Sequence, residues 1–167
     1  SDRDPVVALQ IGDDARAYPL RILIWHEIAN DRVAGIPVAV TYCPLCNAAI
    51  AFDRRVGSTE LTFGVSGMLR HSDMIMYDRQ TESWWQQYSG EAVVGSMTGE
   101  KLRAIPVRLE SFARYRERNP SGKVMVPSNP ASRPYGLNPY VGYEDSAAPF
   151  LYRGELPKGI APLERVV

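Results

Sequence analysis

Turn signals cut the chain into short apolar segments, and this pattern constrains the fold most. Val6–Ile11 is rich in β-branched residues and ends at a Gly-Asp-Asp turn, and Pro37–Tyr42 has the composition of a buried strand. Similar segments recur about every 8–12 residues, a spacing typical of β-sandwiches and β-barrels. We therefore predict a mainly β (α+β) fold, either a compact β-barrel or a sandwich-like sheet, with one or two short helices.

Some segment boundaries are better defined by the sequence than others. Ser111–Arg118 is predicted to be a helix, because it begins with a serine able to cap it and is followed by Asn-Pro. The periodicity of Leu20–Ala29 leaves helix and strand both open. Glu60–Val65 and Asp73–Asp78 are predicted strands, and Gly67 is expected to end the first of them.

The last forty residues differ in composition from the rest. Residues 127–167 are rich in proline, glycine, asparagine and tyrosine and lack periodicity. We predict a single globular domain over residues 1–167, with residues 127–167 as an extended C-terminal wrap packed on its surface. Tyr135, Tyr140 and Tyr143 are expected to pin this tail to the body.

Charge and hydropathy exclude some function classes. Lysine plus arginine number 19, and aspartate plus glutamate also number 19, so no net charge favours nucleic acid as a partner. The longest apolar runs, such as Leu20–Trp25, are too short to span a bilayer. The first residues, SDRDP, resemble the trimmed edge of a mature protein, which fits an export signal that has been removed.

The two cysteines of the chain, Cys43 and Cys46, lie in the run TYCPLCN. A disulfide closing so small a loop would stabilise the fold little, because the entropic benefit grows with loop length. The spacing instead lets both sulfurs approach one point, either each other or a single metal ion. The pair therefore indicates a thiolate metal site or a redox dithiol, with two buried hydrophobic side chains as the plain alternative.

Histidine is the residue type that would complete a two-thiolate site, and the chain contains two, His26 and His71. A metal held by two thiolates takes one or two imidazoles to reach three or four ligands. His26, in WHEIAND, is the first candidate for the third ligand, and His71, in LRHSD, is the candidate for the fourth. Glu27 and Asp73 are candidates for acidic groups that orient the ligands.

Several long runs, spread from about Val6 to Arg153, carry a resemblance to a known family. They are ARAYPL, WHEIAND, VTYCPLCNAAIAFDR, FGVSGMLRHSDMIMYDRQTESWWQQYSGEAVVG and YGLNPYVGY. Together they resemble the bacterial and archaeal family known as the domain of unknown function 3179. The resemblance implies that Cys43, Cys46, His26 and Glu27 belong to the family's pattern, whereas relatives often have asparagine in place of His71. It also implies an extracytoplasmic location, whether periplasmic, secreted or lipid-anchored.

The first functional hypothesis is a metal-binding redox protein in which Cys43, Cys46 and His26 hold one ion. Copper is the first choice, since two thiolates with an imidazole suit it and an exported domain would meet it outside the cell. Such a centre would serve electron transfer, copper delivery or an oxidoreductase reaction with an unidentified small molecule or redox partner. Zinc is the rival metal, and it favours a fourth ligand, His71.

Two further hypotheses need no metal. In a thiol–disulfide protein, Cys43 would be the exposed nucleophile and Cys46 the resolving thiol, with His26 lowering a thiol pKa. In a non-enzymatic binding module, Trp84, Trp85 and the tyrosine-rich tail would bind a partner or a saccharide, and the cysteines would act as a structural clip. Replacing both cysteines separates the two, because only the binding module would keep its affinity.

Overall fold

Strands dominate the computed structural model of the protein, which describes residues 1–164. The fourteen strands of these residues are β1 (Pro5–Ile11), β2 (Asp14–Pro19), β3 (Ile28–Val33), β4 (Ile36–Cys43), β5 (Ala48–Asp53), β6 (Arg55–Val56), β7 (Thr59–Glu60), β8 (Phe63–Arg70), β9 (Asp73–Asp78), β10 (Trp84–Gln86), β11 (Ala92–Val94), β12 (Ala104–Ile105), β13 (Arg108–Ser111) and β14 (Lys123–Val124). The helices are α1 (Leu20–His26) and α2 (Phe112–Arg118), with a 3-10 turn at Tyr143–Asp145. The mainly β prediction with two short helices is confirmed.

The strands form three four-stranded sheets and one short ribbon. The sheet orders are β13-β1-β2-β14, β11-β10-β9-β8 and β12-β5-β4-β3, and β6 pairs with β7. Neighbouring strands are antiparallel except for β14, which runs parallel to β2. None of these sheets closes into a barrel within residues 1–164, so the sandwich-like alternative of the prediction describes the fold.

Helix α1 resolves the segment that the sequence left open. Pro19 keeps an extended backbone (φ −62°, ψ 131°) immediately before the helix, which buries Ile22 and Leu23 against the sheets. The helix ends at Glu27, whose left-handed φ of 57° turns the chain into β3. Leu20–Ala29 is therefore a helix followed by the start of a strand. Among residues 1–164, no helix has both the length and the apolar character that crossing a membrane requires.

Of two other predicted boundaries, the helix start at Ser111 is confirmed and the strand end at Gly67 is wrong. At α2, the Ser111 hydroxyl accepts a hydrogen bond from the Arg114 N–H at 3.4 Å, as the predicted cap requires. The prediction that Gly67 ends its strand is wrong, because β8 continues through it. Gly67 has a φ of 78° and lies in a bulge where the β8–β9 register shifts between Val65 and Leu69. The bulge accommodates the conformation of Gly67, and the pairing of β8 with β9 continues after it.

The main hydrophobic core lies between the β3–β5 strands and the β8–β11 strands. Its buried residues are Ala39, Cys43, Phe52, Leu61, Phe63, Met74, Met76, Trp85, Ala92 and Leu102. Each large apolar side chain buried in this way contributes about 1.5–3 kcal/mol to folding. Because Cys43 ends β4 and Met74 is the second residue of β9, this core brings the end of one strand against the beginning of the other.

Residues 127–164, here named the strap, contain no strand and one 3-10 turn. Two hydrogen bonds, besides ring contacts, join the strap to the rest of the described chain. The Tyr135 hydroxyl lies 2.6 Å from Nε2 of His26, and the Ser72 hydroxyl donates a hydrogen bond to the carbonyl of Phe150. Because Ser72 directly precedes β9, the second contact brings the strap to the end of the core where Cys43 lies.

Candidate metal centre

Residues 43–47, here named the cysteine loop, connect β4 to β5. Strand β4 is buried along nearly its whole length, so its last residue, Cys43, is only 1% exposed. Asn47 adopts a φ of 48°, and its N–H donates to the carbonyl of Pro44 at 3.3 Å. The loop therefore folds back on itself, and Sγ of Cys46 comes to 3.0 Å from Sγ of Cys43.

The two-residue turn between β8 and β9 faces this loop. Its residues, His71 and Ser72, have φ angles of 53° and 65°, the pattern of a type I′ hairpin turn. Such angles are strained for side chains other than glycine, and strain of this kind concentrates at functional sites. The turn presents the carbonyl of Ser72 at 3.4 Å from Sγ of Cys46. Asp73 follows at once, with Oδ1 also 3.4 Å from that sulfur.

Asp73 is buried, and one of its oxygens is already used. The Tyr88 N–H donates to Oδ2 at 2.9 Å, which leaves Oδ1 directed at Cys46. Within the described residues, no ion pair involves Asp73. One ligand atom from each of Cys43, Cys46 and Asp73 lies within 4.8 Å of the other two. These three residues, here named the cysteine cluster, form a group that is able to hold a metal ion.

The cysteine cluster fits an ion in both size and charge. Two thiolates on a tetrahedral zinc ion lie roughly 3.8 Å apart, given Zn–S bonds of about 2.3 Å. The sulfurs, at 3.0 Å, would need to separate by less than about 1 Å to reach that distance. Two thiolates and a carboxylate that ionise together in a buried site repel one another unless a cation lies among them.

The hydrogen bond between the two sulfurs shifts the pKa values of the two thiols in opposite directions. The Cys46 thiol donates a hydrogen bond to the sulfur of Cys43, and backbone N–H groups of Met74 and Cys46 add to it, which lowers the pKa of Cys43. The same bond, together with burial, raises the pKa of Cys46. The prediction that Cys43 is an exposed nucleophile is wrong, because the sulfur that favours the thiolate is buried at the end of β4, whereas Cys46 is the more accessible one.

His26, the predicted third ligand, does not belong to the cysteine cluster in the structure. It is the last residue of α1, its ring is exposed, and Nε2 lies 2.6 Å from the Tyr135 hydroxyl. That hydroxyl also bonds to the hydroxyl of Ser132 at 2.8 Å. The structure thus brings His26 to the strap and brings Asp73, predicted only to orient the ligands, to the sulfurs. Ligation by His26 stays a prediction, which a variant below tests.

His71 and Glu27 lie near the cluster without joining it. The His71 ring is exposed and packs 5.9 Å from the ring of Tyr152 in the strap. Glu27 is the C-cap of α1, and burial raises the pKa of its carboxyl group. Its backbone carbonyl accepts a hydrogen bond from the N–H of Tyr42 at 2.8 Å, which ties the helix end to the strand that carries Cys43.

Of the two tryptophans predicted to line a ligand groove, one is fully buried. Trp85 is completely buried in the main core, and its indole N–H donates to Asp78 at 2.9 Å. The prediction that Trp85 lines a ligand groove is therefore wrong, since adjacent strand residues point to opposite faces and this one points inward. Trp84, on the other face of β10, remains partly exposed.

A cavity of about 700 Å³ opens beside Cys46, between the cysteine loop, the turn at residues 71–72 and the strap. The strap lines it with three tyrosines, Tyr140, Tyr143 and Tyr152. Cys43 is absent from the lining formed by the described residues, so Cys46 is the cysteine that faces this space. An ion held by the cysteine cluster would therefore have one side towards a cavity large enough for a small molecule.

The sequence alone does not indicate that Ser72 and Asp73 contact the sulfur of Cys46. Asp73 and Ser72 look like the polar residues of an ordinary turn, because their separation from the cysteine loop is about 27 residues along the chain. A signal was nevertheless present in the run HSD, which places non-glycine residues where a two-residue hairpin turn favours Asn-Gly. Only the pairing of β8 with β9 shows that this turn faces the cysteines.

Comparison with known proteins identifies the family of the chain. It belongs to the family described as protein of unknown function (DUF3179), whose model matches residues 1–167. The resemblance seen in the sequence is thereby confirmed over the whole chain. No curated protein and no solved structure shows significant similarity to it.

Proposed function

We propose that this domain binds one metal ion through Cys43, Cys46 and Asp73, with an open coordination position towards the cavity. The observation that carries the proposal is that ligand atoms of two thiols and a buried carboxyl group lie within 4.8 Å of one another, with no ion pair at Asp73 within residues 1–164. Three protein ligands with a free fourth position are the arrangement of metal centres that activate a bound water or a small molecule.

The ligand atoms, two sulfurs and one carboxylate oxygen, indicate which metal the site would prefer. Copper was the first choice from the sequence, on the assumption that a histidine joins the two cysteines. With a carboxylate as the third donor, zinc is favoured, because zinc accepts thiolate and carboxylate oxygen together, whereas copper(I) prefers soft ligands. We therefore place zinc first, as a Lewis acid facing the cavity. Copper at the same residues would make the domain a redox protein and an oxidoreductase candidate.

A second candidate function is a thiol–disulfide couple without metal. The 3.0 Å separation of the two sulfurs and the lowered pKa of Cys43 favour it. Forming the bond between Cys43 and Cys46 would release two protons and two electrons, and a partner disulfide would be reduced to two thiols in return. The buried position of Cys43 weighs against direct attack by this sulfur on a large partner.

We also propose that the domain acts outside the cytoplasm, as the resemblance in its sequence implies. Neighbouring free thiols in an oxidising compartment form disulfides unless something protects them. A metal bound by both sulfurs would give that protection. Fractionation of cells that make the full-length protein tests the location, and recovery in the cytoplasmic fraction would contradict it.

The deciding experiment measures metal content and free thiols in protein purified without added metal or chelator. About one zinc or copper per chain supports the metal centre and names the ion. No metal, no uptake of added zinc or copper, and no free thiols would contradict it and leave the disulfide couple. His26→Ala is the matched variant: it should keep the metal if Asp73 is the third ligand and lose it if the histidine prediction is right.

A further inference from the structure

Acidic side chains outnumber basic ones in the described lining of the cavity beside Cys46. Among the residues described as lining it, there is no lysine or arginine, whereas Glu144 and Glu164 contribute carboxylates at its exposed side. The Cys43 sulfur and the Asp73 carboxyl group lie just behind Cys46. The exposed ring of His71 is the one basic side chain in the described lining, so acidic groups outnumber basic ones and disfavour an anionic ligand.

Tyrosine rings supply the other character of the cavity. Tyr42 comes from β4, and Tyr140, Tyr143 and Tyr152 come from the strap. Flat rings at several sides of a cavity favour a ligand that is itself flat or that carries a positive charge over a ring face. The negative charge and the ring faces thus both favour a ligand that is uncharged or positively charged.

The hydroxyl of Tyr140 is available to a ligand. Tyr143 accepts a hydrogen bond from the Phe150 N–H at 3.0 Å, and Tyr152 donates to the carbonyl of Glu155 at 3.1 Å. The Tyr140 hydroxyl has no hydrogen-bond partner among residues 1–164, although the side chain is half-buried. A half-buried hydroxyl left unpaired beside a cavity is a ready partner for a polar atom of a ligand.

We propose that this cavity binds a small ring-containing molecule that is uncharged or positively charged, with the Tyr140 hydroxyl as the hydrogen-bond partner of its polar atom. The inference deepens the proposed function, because a ligand in this position would lie against the open side of the metal. It also stands on the cavity alone, since the tyrosines and carboxylates are in place without any ion.

Electrostatics keep the Tyr140 hydroxyl in the form that the proposal needs. Burial, with the negative charges of Glu27 and Cys43, raises the pKa of Tyr140. The hydroxyl therefore stays protonated at neutral pH and is able to donate to an oxygen or accept from an ammonium group. The same charges that hold the proton on Tyr140 would repel a carboxylate or a phosphate placed beside it.

The test uses three probes of one shape and different charge: benzyl alcohol, benzylammonium and benzoate. Ligand-observed NMR titrations are run first on chelator-treated protein and then on protein loaded with zinc. We expect the alcohol and the ammonium ion to bind at least about fivefold more tightly than benzoate to the metal-free protein. Tyr140→Phe should weaken the alcohol by about threefold to tenfold, which is the range for one lost hydrogen bond.

Tyr88→Phe is the matched control, since Tyr88 is 69% exposed and does not line the cavity. It should leave all three dissociation constants unchanged. No binding of the alcohol or the ammonium ion, equal or tighter binding of benzoate to the metal-free protein, or equal effects of the two tyrosine variants would each overturn the proposal. Metal content is measured separately, so probe binding without metal uptake would contradict the proposed function and leave the cavity assignment intact.

Discussion

Two groups of charged and polar side chains in this domain are built in opposite ways. In the arginine cluster, formed by Asp14, Arg16 and Asp31, the guanidinium donates to both carboxylates at 2.8–3.2 Å. The Tyr18 hydroxyl adds a hydrogen bond to Asp31 at 2.8 Å. The cysteine cluster also gathers three ionisable groups at close range, but all three carry negative charge when ionised, and no arginine or lysine pairs with them within residues 1–164.

The difference separates a group that contains its own cation from one that is able to hold a metal ion. The arginine cluster joins β2 to β3, and Arg16 pairs with both of its carboxylates while Lys123 brings a second cation to Asp14. In the cysteine cluster, the polar contacts are a hydrogen bond between the sulfurs and a few N–H donors. Ionisable groups with strongly shifted pKa values cluster at functional sites. The comparison therefore supports the proposed metal ion.

Cys46→Ser is expected to have the largest effect on metal binding by the cysteine cluster. Removal of the more accessible thiolate should lower zinc affinity by at least about 100-fold, because the ion then loses a protein ligand. The metal-free protein should unfold in urea within about 0.5 kcal/mol of the parent, since Cys46 is only half-buried. Competition with a zinc indicator measures the affinity, and retention of parental affinity would contradict the assigned ligand.

Asp73→Asn is the sharper change, because it removes a charge and keeps the shape and the oxygen that accepts from Tyr88. We expect zinc affinity to fall by about 10–100-fold. The control is Asp31→Asn in the arginine cluster, which should leave zinc affinity unchanged and lower the free energy of unfolding on the order of 1 kcal/mol. An equal loss of zinc affinity in both variants would contradict the assignment of the metal to the cysteine cluster.

Asp14→Asn tests the arginine cluster through pH. Hydrogen bonds from Arg16 and from the Ala34 N–H lower the pKa of Asp14 from 3.8 to about 2. A carboxylate with a lowered folded-state pKa stabilises the fold above its unfolded pKa, and this contribution is lost progressively as pH falls from about 4 through about 2. The variant should therefore lose on the order of 1 kcal/mol at pH 7, and this loss should shrink as pH falls through about 2 and vanish only below it. Urea unfolding of both proteins across this range measures it, and a difference independent of pH would refute the pairing.

Ser72→Ala should have the smallest effect, and it acts on the strap alone. The change removes the hydroxyl that donates to the Phe150 carbonyl and keeps the backbone carbonyl that faces Cys46. Hydrogen exchange of strap amides around residue 150 should become about threefold faster, as expected for the loss of one hydrogen bond. Ser146→Ala, an exposed serine of the strap, is the control and should leave the exchange rates unchanged. Zinc affinity should stay within about twofold of the parent.

The fold was more accessible from the sequence than the site. Strand periods and turn residues are local signals, so Pro5–Ile11, Ile36–Cys43 and Asp73–Asp78 appear nearly where the sequence predicted them. The prediction for Gly67 is wrong because a glycine in a strand has two outcomes, an end or a bulge, and the partner strand decides between them. The sequence does not decide Leu20–Ala29 for a similar reason, since a short apolar run fits a helix and a strand equally well.

What the sequence by itself determined is the closeness of Cys43 and Cys46, because a spacing of three residues in a hairpin loop leaves the sulfurs little freedom to separate. Tertiary structure alone determines which acidic residue joins the two cysteines. Asp73 reaches the sulfurs because β8 and β9 pair antiparallel and their sheet packs on the one that ends at Cys43. His26 is closer in sequence to the cysteines than Asp73 is, yet as the last residue of α1 it contacts Tyr135 of the strap. Spacing along a chain sets local geometry, whereas long-range packing sets which distant side chains meet.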